Sequence, residues 1–310
     1  MASYDILDAI GSTPLVELRR MSPKPGVRIF GKLEGCNPTG SVKDRVALYL
    51  VRRAEADGSL TPGCTLVEAS TGNTALSLAL LAKQLGYGLK VVMPLRVTPG
   101  MVELLELLGT EIIPGEFEVG MKGAIDQAVR LGREKDHHAV RQFQDEANVL
   151  AHYETTGPEI LQALPQVDVF VAGIGTGGTV MGVGKRLRER DPALRVIGVT
   201  PSPGDEIQGL RSLDQGYLPP LLDESLLDGR FMVDAAASFA MMKELLAREG
   251  LFAGLSSGAA LHAALRVAER MESGNIVVLL ADTGWRYMPA LFGMGRLMGL
   301  GGDPDNRAWW

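Results

Sequence analysis

The sequence predicts an α/β fold built on mainly parallel sheets, and three observations predict it. Short apolar runs of strand length alternate with amphipathic stretches of helical spacing along most of the 310 residues. Glycines gather where such a run feeds a helix. No linker rich in Ser, Gly or Pro divides the chain and no fixed-period repeat occurs, so two lobes in intimate contact are expected rather than separate beads. The length suits one large or two medium domains, each with its own core.

In order, Val46, Ala47, Leu50, Val51 and Ala54 recur at helical spacing, with Arg45, Arg52, Arg53 and Glu55 between them, which makes an amphipathic helix. A strand is expected at Thr65–Ala69, a helix over Thr74–Leu85, and a buried strand at Leu89–Met93 closed by Pro94. Helix Met101–Leu108, stopped by Gly109, precedes strand Glu111–Ile113, helix Met121–Arg133 and strand Ala139–Phe143. A second series opens with helix Pro158–Leu164 and strand Val167–Ala172. Further strands are expected at Arg195–Val199 and Ile276–Ala281, with helices at Val180–Arg190, Ala235–Arg248 and Gly258–Met271. Pro201–Gly229 reads as a long surface loop with little regular structure, and loops of that length are usually functional or mobile.

A net charge of -6 argues against a nucleic-acid binder, because affinity for phosphate backbones is carried by surplus Lys and Arg. Cys36 and Cys64 cannot build a disulfide framework, and no Cys/His cluster has metal-ligand spacing. Inert thiols, no metal and a reducing cytoplasm are the expectation. Met1–Gly11 carries Asp5 and Asp8 and no basic region followed by an apolar run, so no signal peptide is expected. The longest uncharged stretch, Val169–Gly184, is broken by glycine and falls short of the roughly 18 to 20 apolar residues a membrane span requires.

Glycine is the compositional outlier, at 38 of 310 residues, well above the usual ~7%. Its clearest cluster, Gly173-Ile174-Gly175-Thr176-Gly177-Gly178-Thr179, sits between an apolar strand and a helix. Backbone N–H groups of such a turn, together with the helix dipole, make a cradle for an anion. The cluster also satisfies G-x-G-x-x-G, but a dinucleotide site wants an acid at the end of the next strand, and Arg195–Val199 runs into Thr200-Pro201 with no acid before Asp205. A single phosphate is the better guest, and an NAD-dependent oxidoreductase is the distant alternative. The second cluster, Gly35-Cys36-Asn37-Pro38-Thr39-Gly40-Ser41-Val42-Lys43, places Lys43 in the first turn of a helix. The positive helix end disfavours an ammonium there, which suits a nucleophilic or Schiff-base lysine. The loop Ser70-Thr71-Gly72-Asn73-Thr74 suits a carboxylate, or else Thr71 or Asn73 serves as an N-cap. Gly254-Leu255-Ser256-Ser257-Gly258 precedes another helix and carries the same capping alternative.

Together with Gly11-Ser12-Thr13-Pro14-Leu15-Val16, these motifs resemble the cysteine synthases, pyridoxal-phosphate enzymes of fold type II related to the tryptophan synthase β chain, over about Ile6 to Phe292. The cysteine synthase B type is the nearest in pattern, through Leu33-Glu34-Gly35, His152-Tyr153-Glu154-Thr155-Thr156-Gly157-Pro158-Glu159 and Leu251-Phe252-Ala253-Gly254. The resemblance implies two lobes, each a mainly parallel twisted sheet flanked by helices. Residues 36–146 would form a smaller, mobile lobe with Lys43 and the carboxylate loop. Residues 1–35 and 147–310 would form the larger lobe with the phosphate cradle and the pyridine-nitrogen serine.

The resemblance further implies that Lys43 holds pyridoxal 5'-phosphate as a Schiff base and later removes the substrate α-proton. Gly175, Thr176, Gly177, Gly178 and Thr179 would bind its phosphate, Asn73 its 3'-oxygen, and Ser256 its pyridine nitrogen. Ser70, Thr71, Thr74 and Gln142 would hold the substrate α-carboxylate. The reaction would be a β-replacement making L-cysteine from O-acetylserine or O-phosphoserine, by way of an aminoacrylate, with sulfide, thiosulfate or a carrier-protein thiocarboxylate as sulfur donor. A cystathionine β-synthase-like or other specialised β-substitution or β-elimination is the alternative. Arg211 falls where O-phosphoserine-using relatives carry arginine, apt for a phosphate leaving group. A homodimer is also implied. Departures include Ser70-Thr71-Gly72-Asn73-Thr74-Ala75 for the common Thr-Ser-Gly-Asn-Thr-Gly, and Arg286-Tyr287-Met288-Pro289-Ala290 for Arg-Tyr-Leu-Ser-Thr. The tail ending in Trp309-Trp310 reads either as a cover for the site or a dimer surface, or as a disordered end.

Overall fold

A strand that runs into a helix returns as a parallel neighbour, because the crossover carries the chain back to the same end of the sheet. The computed structural model, which describes residues 5–93, 99–115, 120–213 and 218–288, has two sheets made this way. In the larger, β1 (Leu15–Glu17), β2 (Val27–Leu33), β7 (Val169–Gly173), β8 (Arg195–Pro201), β9 (Gly229–Val233) and β10 (Gly274–Leu280) run in the order β1-β2-β10-β7-β8-β9. Only the β1–β2 pair is antiparallel. In the smaller, β3 (Thr65–Ala69), β4 (Gly88–Met93), β5 (Glu111–Pro114) and β6 (His137–Ala139) lie in the order β5-β4-β3-β6, all parallel.

Helices explain why the central strands read as continuous apolar runs. On one face of the larger sheet Val169, Val171 and Val278 meet α9 (Leu255–Ala268) through Ala260, Ala263 and Ala264. On the other, Phe170, Ala172 and Val277 meet α7 (Gly178–Arg190) through Val180, Met181 and Val183. Alternate residues of one strand thus bury on opposite faces, and the covered stretches Val169–Gly173 and Ile276–Leu280 carry no polar side chain. Around the smaller sheet, α1 (Lys43–Ala56) and α2 (Asn73–Leu85) share a core in which Val46, Ala47, Leu50, Val51 and Ala54 are all buried. That is the face the helical spacing predicts.

Several elements differ from expectation. β1, β2 and β9 stand where no strand is read from the sequence, because Arg28, Lys32 and Arg230 interrupt their apolar character. Arg28 is accounted for by a cross-strand pair with Glu17, and Lys32 by burial against Glu159. The strand expected at Ala139–Phe143 is instead β6, which ends at Ala139; Arg141, at φ 58°, turns the chain out of the ladder. The helix expected at Pro158 starts eleven residues earlier, as α5 (Ala147–Ala151), continues through a π-turn at His152–Thr156, and ends as α6 (Gly157–Ala163). The segment after β8 is not a bare surface loop, since Ile207, Ser212, Leu221 and Leu222 are buried. Helices α3 (Pro99–Leu107), α4 (Gly120–Leu131) and α8 (Ala235–Glu249) complete the order. Among the described residues no helix is long and apolar enough to cross a membrane. The Trp309-Trp310 tail lies outside the described residues.

Candidate active site

In parallel sheets ligands collect at the carboxyl ends of the strands, where loops and helix N-termini converge. Here β7, β8 and β10 of the larger sheet and β3 of the smaller end around one cleft of about 470 Å³, lined by Lys43, Ser70, Thr71, Asn73, Thr74, Gln142, Gly175, Thr176, Arg211 and Ser256. A narrow extension of about 30 Å³ adds Gly177 and Thr179. Of the residues picked from the sequence, only Gly178 does not line this space.

Lys43 is the first residue of α1, its N–H resting on the Ser41 hydroxyl at 3.3 Å. Burial lowers its pKa, opposed by the charges of Asp282 and Glu34. A larger share of neutral amine is therefore available for attack on a carbonyl or for taking a proton. At the cradle, Gly177 has φ 89°, and a Cβ on Gly175 would stand 2.7 Å from the Gly209 carbonyl oxygen. Side chains are thereby excluded at the positions where backbone N–H groups and the α7 N-terminus would face a phosphate. The Thr179 hydroxyl is held by His152 Nε2 at 3.1 Å. Burial, with the nearby charges of Lys43 and Arg45, keeps that imidazole neutral by pushing its pKa well below the ordinary range.

Gly178 serves by what it lacks. A Cβ there would stand 1.9 Å from Asn148 Oδ1. Gly178→Ala is therefore expected to cost about 1–3 kcal/mol through overpacking, to be read from urea unfolding; a loss below about 0.5 kcal/mol would show that the cradle relaxes freely.

The Ser70–Thr74 loop is tied down by hydrogen bonds. Neither Thr71 nor Asn73 caps α2, whose N-cap position is Gly72; the Ser70 Oγ accepts from Gly72 N at 3.2 Å and from Ala75 N, in the first turn, at 3.1 Å. Asn73 donates to Asp282 Oδ2 at 2.8 Å and accepts from Arg286, which also donates to the Thr39 carbonyl oxygen. Gln142 accepts from Thr74 Oγ1 at 2.7 Å and donates to the Ala69 carbonyl at 3.0 Å. In the Gly254 loop no side chain caps α9, so the Ser256 hydroxyl is not spent on capping. Arg211 stacks its guanidinium 5.1 Å from the Phe143 ring centre.

Three buried residues that the sequence reading missed support this arrangement. Glu68 accepts from Ala69 N at 2.8 Å and Gln142 N at 3.0 Å, bridging the gap where β6 leaves β3. Burial pushes its carboxyl up to about 7, against those two hydrogen bonds. Asp282 ties Asn73 to Tyr287, whose hydroxyl donates to Oδ2 at 2.8 Å. Asn148 is fully buried and donates to the Gln142 carbonyl at 2.7 Å and to Thr176 Oγ1 at 2.9 Å. A lone acid inside strand Thr65–Ala69 and a lone amide inside Ala147–Ala151 were signals in plain view. Among the described residues no group of His, Cys, Asp and Glu could hold a metal ion.

Residues 6–282 match the family model described as pyridoxal-phosphate dependent enzyme. The chain belongs to that family. This pyridoxal-phosphate enzyme is 40% identical to cysteine synthase B of Pseudomonas aeruginosa over 284 residues, covering 91% of this chain and 95% of the relative. Among solved structures, O-ureido-L-serine synthase superposes with a TM-score of 0.90 at 36% identity, covering 98% of each chain. A hydrogen sulfide-producing enzyme from Fusobacterium nucleatum gives a TM-score of 0.87 at 36% identity, covering 92% of this chain and 100% of the other. The family sets aside the dinucleotide alternative, and the cofactor is pyridoxal phosphate.

Proposed function

We propose that this enzyme performs a β-replacement on an O-activated serine, making L-cysteine with a sulfur nucleophile. The observation that carries the reading is one cleft that holds a lysine of depressed pKa, a glycine cradle and a loop built for a carboxylate. Bound pyridoxal phosphate supplies an electron sink for charge developing at the substrate α-carbon. Lys43 would bind the cofactor and, as a neutral amine, take and return the α-proton. Gly175, Thr176, Gly177, Gly178 and Thr179 would hold the phosphate group, with Gly178 acting through its packing against Asn148. Asn73 would meet the 3'-oxygen and Ser256 the pyridine nitrogen, where a neutral hydroxyl favours elimination. Ser70, Thr71, Thr74 and Gln142 would fix the substrate carboxylate. Residues 36–146, which contain the smaller sheet, would move as a lobe against the rest.

Arg211 lines the cleft, and its guanidinium could take a phosphate leaving group through a bidentate contact. O-phosphoserine is therefore proposed as a donor alongside or above O-acetylserine. Arg211→Ala is expected to lower kcat/KM for O-phosphoserine by about 10- to 100-fold, the share of one charge-assisted contact, and to spare O-acetylserine. Equal losses on both donors would place the preference elsewhere. Steady-state turnover of both donors with sulfide and thiosulfate, followed as cysteine formed, tests the whole reading; no cysteine from any pair would sink it.

The likeness to O-ureido-L-serine synthase supports a second reading, in which the incoming nucleophile is an N-hydroxyurea rather than sulfur. Adding such a nucleophile to the same assay separates the two. A homodimer, a cytoplasmic setting and a carrier-protein sulfur donor complete the proposal. The first and last rest on resemblance to cysteine synthases; two free cysteines support the second.

A further inference from the structure

We propose that Asn148 is a positioning residue that turns the Thr176 hydroxyl into a donor toward a bound anion while pinning Gln142, and so serves both subsites of the cleft. The inference rests on the reading of the glycine turn as a phosphate cradle. Asn148 is fully buried in α5, and both hydrogens of its amide are committed, one to the Gln142 carbonyl at 2.7 Å and one to Thr176 Oγ1 at 2.9 Å. The reversed amide is excluded, since its oxygen would face the carbonyl oxygen of Gln142. The amide oxygen has no hydrogen-bond partner and lies against Gly178, where any side chain would displace it.

A hydroxyl has one hydrogen to give and two lone pairs to receive. Thr176 Oγ1 receives from Asn148 and, at a longer 3.4 Å, from Gly178 N. Its hydrogen must then point elsewhere, and Thr176 lines both the cleft and its narrow extension. An anion in the cradle finds a donor already aimed, with no rotor to freeze. The second Asn148 bond fixes the main chain of Gln142, whose side chain is already fixed by Thr74 and Ala69. One amide thus joins the loop after β6 to the turn after β7.

The test is binding of pyridoxal 5'-phosphate and of phosphate-free pyridoxal to the cofactor-stripped full chain, followed by absorbance. Asn148→Ala is expected to weaken the phosphorylated ligand by about 10- to 100-fold, the worth of one hydrogen bond to a charged group, and to leave pyridoxal unchanged. Asn148→Asp, which can only accept and adds a negative charge, is expected to be weaker still. In a Thr176→Val background the loss from Asn148→Ala is expected to vanish. Asn148→Ser replaces the alanine variant should the latter not fold, with far-UV circular dichroism as the check. Equal weakening of both ligands, or full additivity with Thr176→Val, would overturn the proposal. Wild type that prefers the phosphorylated ligand while Asn148→Ala keeps that preference overturns it alone; wild type with no preference overturns the cradle reading as well.

Discussion

Lys43→Ala is expected to lower kcat by about 10²- to 10⁴-fold, the range that loss of a positioned general base alone produces. It is also expected to remove the covalent attachment of cofactor. The physical reason is local. Lys43 opens α1, half-buried in the lining of the cleft, and burial lowers its pKa despite the nearby charges of Asp282 and Glu34. Alanine keeps the helix and loses the amine. Borohydride reduction followed by mass spectrometry is the direct measurement: wild type should carry the cofactor on Lys43, and the variant should carry none. A label on another lysine, or unchanged turnover in the variant, would reject the assignment.

Arg45→Met is expected to destabilise the fold by about 3–5 kcal/mol, the usual cost of breaking a buried ion pair from one side. Two residues beyond Lys43, Arg45 is buried with Glu34 and donates to it at 2.7 and 3.0 Å. It also donates to both oxygens of Glu159, at 2.6 and 2.7 Å, while Lys32 reaches Glu159 at 2.6 Å. Methionine fills similar space but strands the Glu34 carboxylate away from water. The cluster joins β2, α1 and α6, so its loss would also loosen the helix end that presents Lys43. Urea unfolding at neutral pH measures the effect, and a loss under about 1 kcal/mol would count against it.

The same cluster sets an acid dependence. Burial alone would raise the Glu159 carboxyl, yet the hydrogen bonds and charges of Arg45 and then Lys32 hold it down to about 2, from an ordinary 4.5. A depressed folded pKa stabilises the fold above the unfolded value. That contribution should therefore be lost as pH falls from 4.5 through about 2. Glu159→Gln should flatten stability across that window.

Legibility in the sequence followed burial on two faces. β7 is apolar throughout and β10 from Ile276 onward because helices cover both sides, and α1 shows its spacing because one side meets solvent. β2 was hidden because Lys32 looks like a surface residue until Glu159, far away in sequence, meets it. The glycine turn and the Ser70–Thr74 loop were legible because strand-to-helix turns favour those residue types, and Lys43 because a positive helix end disfavours an ammonium there. Glu68, Asp282 and Asn148 were not singled out, since a lone polar residue in an apolar run has no stated purpose until its partners arrive.

By itself the sequence determined the α/β alternation, the strand-to-helix turns and the residue types proposed here for a phosphate, a carboxylate and a Schiff base. All of these are set within a few residues by hydrogen-bond valence, backbone freedom and helix polarity. Only the tertiary structure decided that four strand ends from two sheets share one cleft, that Gly178 exists to seat Asn148, and that Arg45 is neutralised by Glu34 and Glu159. Those facts depend on contacts between residues far apart in sequence, 114 positions for Arg45 and Glu159 and 209 for Asn73 and Asp282, and local chemistry carries no record of what will be buried beside it.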